Sequence, residues 1–292
     1  MQAKIVAAAL LSILVSAATA YAQPAKPPAI VAAEAVYGDV AAQIAGPGIP
    51  VTSILNSANQ DPHSFEASPS TARAVAAAPI VIYNGADYDP WMAKLVRANR
   101  SPTRQVFVVA DLLGRRAPAD PHFWYDPRTM PVVAKAIAGA LAKADPAQAA
   151  AFAEREQAFN DALAPLDAKI AAMRDRFGAT PITATEPVFG YMAAALGLIM
   201  RNERFQLAIM NHTEPRTSDV AAFEADLKAR RVRVLIYNSQ STGPVAQRLL
   251  RQARTAGVPI VPVTETLPPG MTYQGWMLSQ LDALEAALSA PP

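Results

Sequence analysis

The chain has 292 residues, of which 52% are hydrophobic and 17% are charged, and its formal net charge is +2. It has no run of basic residues, no basic stretch interleaved with aromatic residues and no glycine-rich phosphate loop, so nothing in the sequence favours nucleic-acid binding. It also has no cysteine, which excludes disulfides and any lipid attached to a cysteine.

The first 22 residues are typical of a secretory signal peptide. Lys4 supplies the positive charge, residues 5–15 form an apolar stretch, and Ala20-Tyr21-Ala22 matches the small-x-small cleavage pattern. An uncleaved signal anchor is the alternative. The expected mature protein begins at Gln23, has about 270 residues (292 minus 22) and is a soluble periplasmic monomer.

The next segment predicts a first α/β lobe over residues 23–145. Short apolar runs alternate with helical patterns, and Ser68 followed by Pro69 is typical of a helix start. This alternation favours βα units on a mainly parallel sheet that is flanked by helices. The predicted strands are 30–33, 51–55, 79–83 and 105–109, and the predicted helices are 37–44, one that begins at Ser68, 89–98 and 130–144.

Residues 146–178 predict one long helix, because apolar residues recur at helical spacing through the whole stretch. Pro165 should kink this helix or divide it, and Gly178 is suited to end it. The helix would join the first lobe to a second α/β lobe over residues 179–292. In that lobe the predicted strands are 181–184, 205–210, 232–237 and 258–263, and the predicted helices are 187–196, 217–230, 244–256 and 273–288.

Two of the three histidines of the chain lie in a repeated tripeptide, Asp61-Pro62-His63 and Asp120-Pro121-His122. The Asp-Pro pair is common in turns, so either histidine can be an incidental surface residue. However, both follow predicted strands of the first lobe and should lie at the carboxyl edge of its sheet. Because histidine is the commonest metal ligand, the repeat predicts two imidazoles directed at one ion.

A carboxylate of the second lobe is placed to complete such a site. Glu186 directly follows the predicted strand 181–184 and precedes a helix that opens with Pro187. It can be an acid that stabilises the helix N-terminus, or it can face the cleft between the lobes. With His63 and His122 it would provide three-point capture of a divalent metal.

These segments resemble the ligand motifs of the periplasmic zinc- and manganese-binding proteins of ABC importers. Residues 59–70 resemble the first-ligand motif, residues 120–127 the second and residues 185–191 the third, and the resemblance covers essentially the whole mature chain. It implies two α/β lobes joined by a rigid helix with one metal ion between them, and an inner-membrane ABC permease as the partner. In this family the third ligand is histidine in the zinc type and glutamate in the manganese type, so Glu186 favours Mn²⁺ over Zn²⁺, with Fe²⁺ or copper as further possibilities.

The fourth family ligand is an aspartate before the last helix, and here the matching position is Met271. A thioether suits copper(I) rather than manganese or zinc. Glu265, six residues earlier, is the preferred candidate for the fourth ligand, and Met271 or a water molecule are the alternatives. Glu66 and Asp126 are candidates to orient the two imidazoles, and His212 is expected to lie at the surface or in packing.

Three functions follow from these residues. The first is a carrier that captures Mn²⁺ or Zn²⁺ and delivers it to the permease, with little proton release near pH 7 because the histidines are expected to be neutral. The second is a carrier of a metal chelate whose chelator supplies the missing donor. The third is a non-haem metal enzyme, since two histidines and a carboxylate also form an iron facial triad. The absence of a visible general base favours a protein that is not an enzyme.

Overall fold

The computed structural model describes residues 29–57, 65–117, 120–240 and 243–291. The predicted signal peptide and His63 therefore lie outside the described residues. Within the described part, eight strands form two sheets of four parallel strands each, so the expectation of two mainly parallel α/β lobes is confirmed.

The first lobe has a central strand that is buried along its whole length. It is strand β1 (Ile30–Glu34), and it pairs in register with β2 on one side and β3 on the other, through Ile30 with Val51 and Ile30 with Ile80. Continuous burial is expected of a parallel strand that helices cover on both faces. Its other elements are β2 (Val51–Leu55), β3 (Ile80–Tyr83), β4 (Gln105–Val108), α1 (Ala35–Ala45), α2 (Pro69–Ala77), α3 (Pro90–Ala98), α4 (Val109–Leu112) and α5 (Thr129–Ala144).

The predicted start of α2 is confirmed by its cap. The hydroxyl of Ser68 accepts a hydrogen bond from the backbone N–H of Thr71 at 3.1 Å, and Pro69 lies in the first turn. A capping hydroxyl satisfies one of the backbone N–H groups that a helix start leaves without a partner.

Two helices in succession occupy the stretch between the sheets. They are α6 (Ala149–Asp161) and α7 (Ala164–Phe177), after a 3₁₀ turn at Pro146–Gln148. The division comes just before Pro165, which has no N–H to donate and so stands in the first turn of α7. Gly178 ends α7, as predicted. The boundaries of the lobes at 145 and 178 remain a prediction.

The second lobe repeats the architecture of the first, in the order β6-β5-β7-β8. Gly257 ends α11 in the left-handed conformation at φ 71°, which costs glycine little. The elements of this lobe are β5 (Pro181–Ala184), α8 (Gly190–Ala195), β6 (Ile199–Arg201), α9 (Glu203–Met210), α10 (Thr217–Lys228), β7 (Leu235–Asn238), α11 (Pro244–Ala256), β8 (Ile260–Val263) and α12 (Tyr273–Ser289).

One predicted element is wrong. Residues 205–210 form most of helix α9, and the strand of this unit is the three-residue β6 just before it. Asn202, with φ at 61°, turns the chain between β6 and α9. A short, mostly apolar segment fits a strand or a buried helix equally well by period, and here the position of Phe205 in the core of the second lobe decides for the helix.

The carboxyl ends of the two sheets face each other. Tyr88, which follows β3, donates a hydrogen bond to Glu265, which follows β8, at 3.1 Å. The hydroxyl of Tyr125 likewise lies 2.7 Å from the carbonyl of Thr264, across the same boundary. One hydrophobic core runs through both sheets and the connecting helices, so the cleft is held by packing as well as by polar contacts. No helix in the described ranges is long and apolar enough to cross a membrane.

Candidate metal site

His122 is the centre of the site on the first lobe. It stands in the loop after α4, it begins the 3₁₀ turn Phe123–Tyr125, and it is only 1% exposed. Its Nδ1 lies 2.6 Å from Oδ1 of Asp120, which also accepts the backbone N–H of His122 at 3.0 Å. This carboxylate orients the ring so that Nε2 is the nitrogen available to a cation.

The Nε2 atom of His122 makes no hydrogen bond with any described residue, although it is buried. Oε2 of Glu265 stands 3.6 Å from it, beyond hydrogen-bond distance. A buried polar atom without a partner costs about 1–3 kcal/mol. A nitrogen with an available lone pair beside a carboxylate is a suitable pair of donors for a cation.

Charge around His122 changes its protonation. Burial lowers the pKa of the imidazole, but the hydrogen bond to Asp120 and the negative charges of Asp120 and Glu265 outweigh burial and raise the pKa to about 10. The ring therefore carries a proton at neutral pH when no metal is bound. This contradicts the expectation of a neutral histidine, because that expectation did not include two carboxylates beside one buried ring.

Aromatic side chains wall the site on the side of the first lobe. The ring of Tyr88 packs against the imidazole of His122 edge-to-face at 5.9 Å between centroids, and the ring of Trp124 does so at 5.5 Å. Both aromatic rings are buried. Such a wall keeps water out and strengthens the electrostatic interactions inside it.

The second lobe contributes two carboxylates. Glu186 precedes the 3₁₀ turn Pro187–Phe189, but its side chain makes no capping hydrogen bond there. It accepts instead a hydrogen bond from Asn238 at the end of β7. The alternative that Glu186 serves only as a cap is therefore disfavoured, because its carboxylate binds an asparagine that also binds Glu265.

Glu265 is the more buried of the two carboxylates. It is 6% exposed, its Oε2 accepts the hydroxyl of Tyr88 at 3.1 Å, and its Oε1 accepts Nδ2 of Asn238 at 2.6 Å. The side-chain carbonyl of Gln240 accepts its backbone N–H at 2.6 Å. The hydrogen bonds with Tyr88 and Asn238 hold the carboxylate beside His122.

Of the four predicted ligands, His122 lies beside Glu265 at 3.6 Å, and Glu186 is linked to Glu265 through Asn238. His63 lies outside the described residues, and within the described part no group of three such side chains is close enough to hold an ion. Met271, the alternative fourth ligand, packs partly buried against the main hydrophobic core. A soft-metal site built on Met271 has no support from this position.

One of the two predicted orienting residues, Asp126, binds another partner. Asp126 accepts hydrogen bonds from the backbone and guanidinium of Arg128, which with Arg115 outweigh burial and lower the pKa of the Asp126 carboxyl. Glu66 is exposed. His212 is exposed too, as the sequence predicted. The residues that sequence reasoning missed are Tyr88 and Asp120 as the orienting partner of His122; of these only Asp120 had a local signal, as the aspartate of its own Asp-Pro-His tripeptide.

Known proteins are similar to this chain in sequence. The chain is 27% identical over 184 residues to the manganese ABC transporter substrate-binding lipoprotein PsaA of Streptococcus pneumoniae, which covers 58% of the chain and 59% of PsaA. It is 22% identical over 246 residues to the zinc-binding protein TroA of Treponema pallidum, covering 78% and 79%. The chain thus matches about three fifths of the length of PsaA and four fifths of that of TroA.

Solved structures agree in architecture. The periplasmic zinc-binding protein TroA from Treponema pallidum superimposes with a TM-score of 0.77 at 21% identity, over 90% of this chain and 99% of that one. The Mn-bound periplasmic metal-binding protein from Candidatus Liberibacter asiaticus does so with a TM-score of 0.72 at 16% identity, over 89% and 99%. At these identities the likeness shows the shared two-lobed fold. The family model described as the periplasmic component A of the zinc-uptake complex (ZnuA) matches residues 30–287, and the chain belongs to this family.

Proposed function

We propose that this protein captures a divalent metal ion between its lobes and delivers it to an inner-membrane ABC permease. The observation that carries the proposal is the buried Nε2 of His122, which makes no hydrogen bond in the described part of the chain and stands 3.6 Å from a carboxylate oxygen of Glu265. The proposed ligands are His122, Glu186 and Glu265, with His63 as the fourth on the strength of its sequence motif. The protein acts as a soluble periplasmic monomer and is not an enzyme.

A bare ion is favoured over a chelate. The reason to expect a chelator is a missing fourth donor, and the carboxylate of Glu265, 3.6 Å from Nε2 of His122, supports a donor from the protein itself in that place. A carrier is favoured over an enzyme because the family is one of transport components. The cargo is Mn²⁺ or Zn²⁺, since the donor set mixes carboxylates, which suit manganese, with imidazole, which suits zinc.

The experiment compares thermal unfolding of metal-stripped protein with and without Mn²⁺, Zn²⁺ or Fe²⁺. An ion at a hundred times its Kd stabilises the folded state by about 2.7 kcal/mol. For a chain of this size the expected rise in Tm is roughly 5–10 °C. The His122→Ala variant should lose most of this rise.

His212 provides the matched control, because it is an exposed histidine of the same chain. The His212→Ala variant should keep the full metal-dependent rise in Tm. Equal rises in the wild type and in His122→Ala would remove His122 from the site and contradict the proposal. A rise only when a chelator accompanies the metal would favour the chelate carrier instead.

A further inference from the structure

A groove between helices α8 and α9 lies beside the loop that carries His122. It has a volume of about 320 Å³, and its lining comes from both lobes, since Asp120 belongs to the first lobe and residues such as Gly190 and Leu207 belong to the second. Asp120 stands two positions before His122 in the chain. A molecule seated in the groove would therefore contact both lobes next to a proposed metal ligand.

Most of the lining of this groove is apolar. It consists largely of Pro187, Ala193, Ala194, Leu198, Met200 and Leu207. Leu207 is 42% exposed and is one of the four large hydrophobic side chains that are exposed in the described part of the chain. A second one, Ile199 at 51%, directly precedes Met200. Contiguous exposed apolar surface of this kind is typical of a site of protein interaction.

The charged part of the lining is acidic. Asp120 and Glu203 both line the groove, and no basic residue of the described ranges does so. Oδ1 of Asp120 accepts both hydrogen bonds from His122, whereas its Oδ2 makes no hydrogen bond with any described residue. A Cβ atom at Gly190 would lie 3.0 Å from this Oδ2. Because glycine has no side chain, the oxygen stays open to the groove.

An apolar lining with two carboxylates indicates the chemistry of the occupant. A carboxylate oxygen without a partner accepts a hydrogen bond from an ammonium or guanidinium group, and such charge-assisted bonds are the stronger ones. An apolar side chain next to that cation would cover the exposed part of Leu207. Like charge disfavours an anionic occupant such as a phosphate group or an acidic peptide. A protein segment with a basic side chain beside an apolar one meets both demands.

We propose that this groove is a docking surface for the permease and receives a segment that carries an arginine or lysine next to an apolar side chain. The basic group pairs with Oδ2 of Asp120, and the apolar side chain packs against Met200 and Leu207. The inference rests on the proposed function and names the surface through which the carrier meets its partner. The position of the groove suits delivery, because its occupant touches both lobes beside His122.

The first test titrates the protein, labelled with ¹³C at its methionine methyl groups, with the blocked dipeptide acetyl-Leu-Arg-amide. The NMR signal of Met200 should shift saturably, and that of Met130, which is fully buried in the first lobe, should not. Acetyl-Leu-Glu-amide, with reversed charge, should bind at least about tenfold more weakly. Acetyl-Gly-Arg-amide, without the apolar side chain, should bind roughly tenfold more weakly. Equal binding of the three peptides would overturn the inference.

The second test measures metal uptake by cells in which this protein is the only carrier that serves its permease. Leu207→Lys places a cation in the groove and repels the basic group of the partner, so uptake should fall at least about tenfold. The Kd for the metal should stay unchanged, because Leu207 is not a proposed ligand. Val132→Lys is the matched control, since Val132 is an apolar residue that is 37% exposed on helix α5. It should change neither quantity.

The outcomes separate this inference from the proposed function. Normal uptake with Leu207→Lys, or an unshifted Met200 signal with acetyl-Leu-Arg-amide, would overturn the inference although the protein still binds metal. A Met200 signal that changes with protein concentration alone would assign the groove to a second copy of the chain and would overturn it too. Absence of saturable metal binding to the wild type would instead refute the proposed function. If Leu207→Lys does not fold, Leu207→Ser with Val132→Ser as its control gives the same comparison.

Discussion

One oxygen of Asp120 accepts two hydrogen bonds from His122, from ring Nδ1 at 2.6 Å and from the backbone N–H at 3.0 Å. The aspartate and the histidine of this Asp-Pro-His tripeptide therefore form one unit, in which the first residue orients the ring of the third. The loop thus carries its own orienting carboxylate. Asp126, four residues after His122, is not needed for that role and pairs with Arg128 instead.

The first prediction concerns the removal of this orienting carboxylate. Asp120→Ala should weaken metal binding about 10–100-fold, because a histidine ligand without its partner loses a defined tautomer and ring orientation. Competition with a chromophoric chelator measures the change. Asp111→Ala, at an exposed aspartate of α4, is the control and should bind as the wild type does. An unchanged affinity of Asp120→Ala would show that His122 is oriented without it.

A second prediction concerns the close approach of Gly190 to Asp120. A Cβ atom at Gly190 would lie 3.0 Å from Oδ2 of Asp120, and the carboxylate would have to shift by a few tenths of an ångström. Gly190→Ala should therefore weaken metal binding by several fold, although the helical backbone at this position accepts alanine.

Gly139 of α5 supplies the control for that substitution, because nothing lies within 4 Å of a Cβ built there. Gly139→Ala should leave metal affinity unchanged and raise the free energy of unfolding by about 0.4–1 kcal/mol, since alanine loses less backbone entropy in a helix. Equal affinity in the two variants would show that the carboxylate of Asp120 adapts without cost.

The third prediction follows from the protonation of His122. With its pKa raised to about 10, the ring is protonated at pH 7.5 in the metal-free protein and must lose that proton to bind a cation. Binding should release about one proton per ion, and affinity should rise with pH as the ring becomes easier to deprotonate. Calorimetric titration in buffers of different ionisation enthalpy measures the number released. Release of no proton would mean that His122 is neutral before the metal arrives.

A fourth prediction concerns a buried acid pair near the site. Glu34 is 4% exposed, and burial, together with the negative charge of Asp89, raises the pKa of its carboxyl well above the usual range. Asp89 accepts the backbone N–H groups of Asn84 and Gly85 at 2.7 and 2.8 Å, and burial raises its pKa to about 6. The folded protein thus holds protons that the unfolded chain releases.

Because the folded protein binds more protons than the unfolded chain, its free energy of unfolding depends on pH. Above the ordinary pKa of a carboxyl, about 4.3 for glutamate, unfolding releases the proton of Glu34, so the free energy of unfolding falls as pH rises. Glu34→Gln removes this contribution, and its stability relative to the wild type should increase between pH 5 and pH 8 in urea unfolding. Glu203→Gln, at an exposed glutamate of α9, should stay within about 0.5 kcal/mol of the wild type at every pH. A difference for Glu34→Gln that does not depend on pH would show that Glu34 is ionised in the fold.

Much of the fold could be read from local patterns. Pro244 at the start of α11 and Gly257 after its end mark its limits as the structure has them, because each residue acts on the backbone at its own position. The same holds for Ser68 and Gly178. Local patterns fail around residues 199–210, where the predicted strand is a helix. A short apolar run satisfies both patterns until the core of the second lobe selects one.

The same distinction between local patterns and tertiary contacts applies to the site residues. His122 and Glu186 could be proposed from the sequence because the tripeptide repeat and the strand-to-helix turn are local features. The contact of Glu265 with Tyr88, and the hydrogen bonds of Asn238 with Glu186 and Glu265, join residues 177, 52 and 27 positions apart. Such contacts depend on how two parallel sheets present the ends of non-adjacent strands to each other, and no local pattern encodes that meeting.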